Sequence, residues 1–321
     1  MRGPGVVSGS PASSWDLTRE WIIGQAMGSL LVPSRVAPHL EGPGRDTRPD
    51  CAVGACCNRC VPSSNEREDI VALLSLAGFV AAEEDAADLL ACADGDTDRL
   101  GFLIERRLAG EPLAWITGHV SFCGLDIRVH PEVYVPRWQS EPLALRAASR
   151  LCESGVAIDL CTGSGAIAKI LSLKRPRARV FGTDSDARAV ACAADNGVKA
   201  FCGDLFTPLP AGLAGRADLV VGVVPYVPTN ALELLPHDTF AFESRLAYDG
   251  GPDGTDVLRR VLGEASFFLR SGGALLLELG GEQAAALAGD LERLGYSNVE
   301  ALLDDDGDLR GIEATLASDH R

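Results

Sequence analysis

Two repeating patterns of apolar and polar residues alternate along the second half of the chain. Short runs of Val, Ile, Leu and Ala, which are typical of buried strands, are separated by stretches in which apolar residues recur every three or four positions, as on one face of a helix. The strands are predicted near residues 156–160, 178–183, 198–201, 218–224 and 273–279. A final hairpin is predicted at about 295–303 and 310–316. Strands that alternate with helices in this way predict an α/β fold with a doubly wound, mostly parallel sheet.

The first half of the chain is organised differently. Residues 1–65 are rich in Gly, Pro, Ser and Arg, a composition that buries too little apolar surface to fold independently, so we expect a disordered extension or a start codon assigned too far upstream. Residues 66–117 carry apolar positions at helical spacing and predict a small helical domain. Residues 118–137 change to strand-like alternation and predict a β-hairpin linker. Residues 138–321 then form the α/β domain.

One loop of the α/β domain combines a carboxylate with glycines. Asp159 ends the first predicted strand of that domain, and Gly163 and Gly165 follow before the next helix. Glycine lacks a Cβ, so this turn can take positive φ and let a ligand approach the backbone closely. Ligands of open α/β sheets bind at this end of the strands. The simpler alternative is a structural glycine turn without a ligand, because the Gly-x-Gly spacing alone is weak evidence for a binding site.

Charge at the strand ends indicates which ligand the loop would take. Asp159 would repel a pyrophosphate and favour a ligand with an ammonium group or free hydroxyls. Asp184 ends the next strand about 20 residues after the glycines, where it can accept hydrogen bonds from a ribose diol. Asp184 suits dinucleotides and S-adenosylmethionine alike, whereas Asp159 favours S-adenosylmethionine.

Charge and cysteine usage narrow the function classes. The formal net charge of −16 argues against a protein that wraps nucleic acid with clustered Lys and Arg. No apolar run approaches the ~20 residues of a membrane span, and no secretory signal is visible, so we expect a cytoplasmic location. Among ten cysteines, Cys57 and Cys60 have a metal-ligand spacing near Cys51 and Cys56. A second such pair is missing, so we interpret this cluster as incidental and predict no metal site.

Two further strand ends carry candidate binding groups. Asp204 and Leu205 follow the third strand, where a carboxylate can accept a hydrogen bond from the exocyclic amino group of an adenine. The fourth strand ends in Val223-Val224-Pro225-Tyr226. This segment puts backbone carbonyls and an aromatic face beside the glycine loop.

With these motifs in place, the chain resembles the release-factor glutamine methyltransferase family (HemK/PrmC-like). The resemblance extends from about residue 66 to the end of the sequence, and it rests on several motifs in the family's order. The matching segments are 107–112, 115–118, 135–141, 159–165, 243, 246–251, 253–254, 272–278 and 283. The resemblance implies a Rossmann-like class I methyltransferase that moves a methyl group from S-adenosylmethionine to a glutamine side-chain nitrogen. In the family that glutamine lies in the Gly-Gly-Gln loop of a peptide chain release factor, which is therefore the implied partner.

The resemblance also assigns roles to residues. The implied cofactor-binding residues are Asp159, Thr162, Gly163, Gly165, Asp184, Asp204 and Leu205. Asp184 is implied to hold the ribose and Asp204 the adenine region. Gly163 and Gly165 are implied to face the methionine moiety, with Asp159 beneath it. The implied catalytic residues are Val223, Val224, Pro225 and Tyr226.

The implied catalytic segment departs from the family pattern, which reads Asn-Pro-Pro-Tyr. In the family, the Asn side chain and the carbonyl of the next residue accept the two amide hydrogens of the target and orient its nitrogen, which is catalysis by positioning. Val223 has no acceptor, and one unpaired amide hydrogen costs ~1–3 kcal/mol. If this cost falls only on the transition state, it corresponds to roughly 5- to 150-fold in rate.

This departure leaves other hypotheses open. Tyr226 can pack against any planar acceptor, so a methyltransferase for a small molecule, acting on nitrogen or oxygen, is the main alternative. Methylation of a hydroxyl usually needs a general base, for which His237 is the candidate, although an exposed loop histidine is the simpler interpretation. A third hypothesis is a non-catalytic homologue that still binds the cofactor. Methylation of adenine in DNA uses a similar motif but is disfavoured by Val223 and by the acidic charge.

Overall fold

The computed structural model of the protein describes residues 64–235, 241–304 and 306–318. Residues 1–63 of the expected extension, with their four-cysteine cluster, lie outside these ranges, as does His237. The chain divides after Ala109 into two compact units. None of the described helices is both long and apolar enough to cross a membrane.

The smaller unit is helical in its described residues. Its helices are α1 (Ser64–Leu76), α2 (Ala82–Ala93) and α3 (Thr97–Leu108). Asp96 caps α3, because its side chain accepts a hydrogen bond from the Arg99 N–H at 3.0 Å. Arg107 on α3 pairs with the buried Asp85 on α2 at 2.7 Å, and its guanidinium lies 4.0 Å from the ring centroid of Phe79. This ion pair ties α3 to α2.

The larger unit carries the sheet. Its helices are α4 (Leu113–Thr117), α5 (Glu141–Arg150), α6 (Ala166–Lys174), α7 (Ala187–Asp195), α8 (Asp256–Phe268) and α9 (Gln283–Arg293). Its strands are β1 (His119–Phe122), β2 (Leu125–Arg128), β3 (Val156–Leu160), β4 (Arg179–Asp184), β5 (Ala200–Cys202), β6 (Ala217–Gly222), β7 (Leu269–Glu278), β8 (Tyr296–Leu303) and β9 (Leu309–Leu316). Short 3₁₀ helices lie at Trp138–Ser140, Ala211–Leu213, Thr229–Leu234 and Arg245–Ala247.

The seven-stranded sheet has the order β5-β4-β3-β6-β7-β9-β8. The strands from β5 to β7 are parallel, and β9 is antiparallel to both of its neighbours. The structure therefore confirms the predicted doubly wound, mostly parallel sheet and its terminal hairpin. The strand order reverses at β3, so the switch point where such sheets bind ligands lies at its carboxyl end. In register, Leu160 pairs with Thr183 on β4 and with Gly222 on β6, so the following loops leave the sheet at one edge.

Burial on both faces of the sheet explains the nearly continuous apolar strands. Ile158 and Leu160 contribute to the apolar cluster on one face, and Ala157 contributes to the cluster on the other. All five residues of β3 are buried, including Asp159. A carboxylate at the end of such a strand requires internal hydrogen-bond partners.

The predicted hairpin of 118–137 is present but shorter than its apolar pattern suggests. β1 and β2 are joined through Cys123-Gly124, both with positive φ, and β2 ends at Arg128. Pro131 has no N–H to continue a ladder, and Glu132 takes a positive φ of 63°. Val133 is buried outside any strand, in a small cluster with residues of α7. Val133 is therefore apolar because it is buried against α7, and not because it belongs to a strand.

Candidate active site

Hydrogen bonds to the Asp159 carboxyl group hold the conformation of the loop after β3. Asp159 is 1% exposed, and its Oδ2 accepts hydrogen bonds from Thr162 Oγ1 at 2.6 Å and from the Ala168 N–H at 3.2 Å. Burial raises the pKa of Asp159 to about 7, although both hydrogen bonds oppose that shift. The carboxyl group therefore holds the turn from within, beneath the position expected for a ligand.

The two glycines of this loop serve different physical needs. Gly163 has a φ of 55°, and a Cβ added there would meet only the Tyr134 carbonyl oxygen, at 4.0 Å. This space lets a ligand approach the backbone. Gly165 has a φ of 81°, and its added Cβ would lie 2.9 Å from Val198 Cγ2 and 3.0 Å from Ala193 Cβ. Gly165 is thus required by close packing of the loop against the end of α7.

Asp184 links the loops that follow β3, β4 and β5. Its Oδ2 accepts a hydrogen bond from the Gly163 N–H at 2.9 Å, and its Oδ1 accepts one from the Asp186 N–H at 2.9 Å. Its carbonyl accepts a further bond from the Gly203 N–H at 2.8 Å. Burial raises the pKa of Asp184, against these backbone hydrogen bonds. The half-buried Asp184 carboxylate therefore lies directly beside the glycine loop.

Asp204 and Leu205 lie at the outer part of the same edge. The Asp204 carboxylate is 61% exposed and pairs with the Arg260 guanidinium at 2.6 Å. Leu205 is buried at a positive φ of 44°, an uncommon conformation for a leucine that fixes the direction of this loop. The sheet therefore brings all the predicted cofactor-binding residues to the carboxyl ends of β3, β4 and β5 and the loops that follow them.

The segment after β6 is held by side chains from the end of β7 and from α9. The Tyr226 hydroxyl donates to Glu278 Oε1 at 2.8 Å, and the Ser140 hydroxyl donates to Glu278 Oε2 at 2.5 Å. Gln283 Nε2 donates to the Tyr226 carbonyl at 2.6 Å. Burial and the nearby Glu278 raise the pKa of Tyr226, which keeps its hydroxyl protonated and donating. Val223 is half-buried and Val224 is buried at the start of this segment.

A buried glutamate joins two segments beside this site. Glu243 accepts hydrogen bonds from the Val135 N–H at 3.0 Å, from Arg137 Nη2 at 2.6 Å and from the Tyr248 hydroxyl. The Tyr134 ring packs edge-on against Tyr248, with centroids 5.6 Å apart. Burial raises the pKa of Tyr134 to about 12. These contacts hold residues 134–137 next to the glycine loop.

Asn196 is a site residue that the sequence did not reveal. Its Nδ2 donates to the carbonyls of Arg128 and Ser164, both at 2.8 Å, and its Oδ1 accepts the Arg128 N–H at 3.0 Å. One buried amide therefore joins strand β2 to the glycine loop. Its position between α7 and Gly197 is that of an ordinary helix end, so the sequence carried no signal of this role.

The charge of the site is acidic in the described residues. Asp159, Asp184 and Asp204 surround the loop, and Glu278 lies under the segment after β6. Such a site favours a cationic ligand over a phosphate. In the part of the chain that the structure describes, no group of three or more His, Cys, Asp or Glu side chains could hold a metal ion.

The sheet order, the glycine loop at its switch point and the acidic strand ends define a class I, S-adenosylmethionine-dependent methyltransferase. No family model matches the chain. The chain is 43% identical over 213 residues to the release factor glutamine methyltransferase of Moorella thermoacetica, which covers 63% of this chain and 74% of that protein. It is 37% identical over 211 residues to the protein of the same name from Geobacter sulfurreducens, at 64% and 73% coverage. The chain therefore belongs to the release factor glutamine methyltransferase family, as its motifs indicate.

Solved structures show weaker likenesses. A methyltransferase from Pyrococcus furiosus matches with a TM-score of 0.46 and 21% identity, over 66% of this chain and 97% of that one. The E. cuniculi Mtq2-Trm112 complex, described as responsible for methylation of the eRF1 termination factor, matches with a TM-score of 0.43 and 23% identity, over 58% and 99%. Likenesses at this level add nothing to the assignment made from sequence relatives.

Proposed function

We propose that this chain methylates the side-chain amide nitrogen of the glutamine in the Gly-Gly-Gln loop of a peptide chain release factor. Its relatives carry the name of that activity, and its motifs follow the family order. Release factors act on ribosomes in the cytoplasm, so a cytoplasmic location is part of this proposal.

The residues at the sheet edge fit the proposed cofactor. The open space beside Gly163 admits a ligand against the backbone, and the carboxylates suit a positive charge. Asp184 is the proposed partner of the ribose, and Asp204 with Leu205 bounds the adenine region. S-adenosylmethionine, when bound, supplies an electrophilic methyl group on a sulfonium. The chain's own task is to aim a weakly nucleophilic amide nitrogen at that methyl group.

The observation that supports this proposal most directly concerns the hydrogen bonding of the carbonyl groups in the segment after β6. The Tyr226 carbonyl is occupied by Gln283, and Val227 exchanges hydrogen bonds with the backbone of Tyr248 and Gly250. Within the described residues, the Val224 carbonyl oxygen accepts no hydrogen bond. Val224 is 1% exposed, so this unpaired oxygen is the proposed acceptor for a hydrogen of a target amide that reaches it on binding, and Tyr226 is the proposed boundary of the planar group.

The test is a methyl-transfer assay with the full chain, S-adenosylmethionine and a purified release factor. We expect mass spectrometry to find one added methyl group, on the glutamine of the Gly-Gly-Gln peptide. A release factor with that glutamine changed to alanine is the matched control and should stay unmodified. Replacing Asp184 with alanine should weaken cofactor binding in calorimetry, because the Gly163 N–H and the ribose both lose their acceptor.

Val223 supports a second candidate, a methyltransferase with a small-molecule acceptor. The missing side-chain acceptor weakens recognition of an amide but leaves Tyr226 able to pack against a planar ring. In that case the chain would bind S-adenosylmethionine and leave release factors unmodified, and a labelled methyl group would appear in a small-molecule extract. Cofactor binding without any labelled product would indicate a non-catalytic homologue.

A further inference from the structure

The Gln283 side chain holds the segment after β6 through hydrogen bonds to the backbone. It is 8% exposed and uses both ends of its amide. Its Nε2 donates to the Tyr226 carbonyl at 2.6 Å and to the Gly254 carbonyl at 3.2 Å, while its Oε1 accepts the Gly280 N–H at 3.1 Å. All three partners are backbone groups, so this side chain fixes the course of the chain and not the position of another side chain.

Packing around this contact leaves little freedom. A Cβ added to Gly254 would lie 2.2 Å from the Tyr226 carbonyl oxygen and 2.4 Å from Gln283 Nε2. A Cβ added to Gly250 would lie 2.7 Å from Tyr226 Cα and 2.9 Å from the Pro225 carbonyl oxygen. The backbone from Pro225 to Tyr226 is therefore enclosed by two glycines and tied down by one amide.

This restraint reaches the Val224 carbonyl through a stiff piece of chain. The ring of Pro225 fixes its φ, and the residue before a proline is confined to extended conformations. Tyr226 is held at its hydroxyl by Glu278 and at its carbonyl by Gln283. With both ends of Tyr226 held, the direction of the Val224 carbonyl has few ways to change.

We propose that Gln283 is a positioning residue for methyl transfer: by holding the Tyr226 carbonyl, it aims the Val224 carbonyl at the target amide. This inference rests on the proposed function and adds to it a residue that never touches the substrate. Val223 offers no side-chain acceptor. Orientation of the target amide therefore depends more on the Val224 carbonyl than it would in a chain with Asn at position 223.

The test compares Gln283→Met and Gln283→Glu with the unsubstituted chain. Met keeps similar volume without a donor, and Glu turns an acceptor oxygen toward the Tyr226 carbonyl. Glu282→Gln, at the exposed neighbouring residue, is the matched control. We expect kcat, normalised to the S-adenosylmethionine-binding sites counted by calorimetry, to fall about 10- to 100-fold in both Gln283 variants, since small misplacements cost that much. The Kd for S-adenosylmethionine and the control should stay unchanged.

A merely structural role predicts a different result, because loss of folded protein lowers the number of cofactor sites and leaves the normalised kcat intact. An unchanged normalised kcat in both variants would overturn the proposal. Crystal structures of the unsubstituted chain and of Gln283→Met decide the question without turnover. A displaced Val224 carbonyl oxygen supports it, and an unmoved one contradicts it. Failure of the unsubstituted chain to methylate a release factor would count against the proposed function alone.

Discussion

Replacing Val223 with asparagine should raise the rate of release-factor methylation. Val223 directly follows the carboxyl end of the central strand β6. Its side chain is half-buried, so it is not fully enclosed by the core. The Val224 carbonyl can pair one amide hydrogen of the target, and asparagine would supply an acceptor for the other. An amide hydrogen left unpaired costs ~1–3 kcal/mol, and the gain should be of that size.

The magnitude translates into about a 5- to 150-fold increase in kcat/KM for the release factor, if the new hydrogen bond forms in the transition state. Val223 also packs against the apolar clusters on both faces of the sheet, so the polar substitution should lower the free energy of unfolding by about 1 kcal/mol. The gain in rate therefore comes with a modest loss of stability, and the two should be measured on the same preparations.

The assay measures initial rates of methyl transfer to a purified release factor, with S-adenosylmethionine saturating. Val223→Leu is the control, because it changes the side chain without adding an acceptor and should give no gain. If Val223→Asn folds, binds S-adenosylmethionine and still shows no gain over the unsubstituted chain, the explanation of the motif by a missing acceptor is wrong. A different acceptor would then be favoured.

Four further outcomes test the glycine loop and its surroundings. Gly165→Ala should lower the free energy of unfolding by about 2–4 kcal/mol in urea, because of the positive φ and the crowded Cβ position. Gly163→Ala, with open space around it, should cost less stability but should weaken S-adenosylmethionine binding in calorimetry. Asn196→Asp loses both donated hydrogen bonds and should weaken cofactor binding and lower the melting temperature. The folded state raises the pKa of Asp159 to about 7 and so binds its proton more tightly than the unfolded chain does. The free energy of unfolding should therefore fall as pH rises toward 7. Asp159→Asn should remove this pH dependence, which urea unfolding at pH 5 and pH 8 can show.

Much of the sheet could be predicted from the sequence because each strand carries its own local signal. The apolar run ending in Asp159 predicts strand β3, and the run before Val223 predicts β6. Glycines at 163 and 165 mark the turn. Parallel connectivity then places the carboxyl ends of β3, β4, β5 and β6 on one side of the sheet, which is why the candidate residues group together in the prediction.

The supports of the site could not be predicted in the same way, because they act over long distances in the chain. Asn196 bonds to Arg128, 68 residues away, and Gln283 bonds to Tyr226, 57 residues away. Gln283 and Glu243 belong to segments that match the family's motifs, yet nothing in their neighbours indicates which backbone groups they hold. The apolar pattern continues beyond β2 for a related reason, because Val133 is apolar through tertiary packing against α7.

The place of β9 in the sheet has a consequence for how the active site is assembled. β9 lies between β7 and β8, and Gly311 pairs with Glu278, while the Leu279 N–H donates to the Arg310 carbonyl. The strand end that grips Tyr226 thus has an open outer edge until residues 309–316 have been synthesised. During translation, the glycine loop would therefore be synthesised well before the strand that covers β7. A chain stopped short of residue 309 would retain the glycine loop while exposing an unpaired edge of β7 next to the segment after β6.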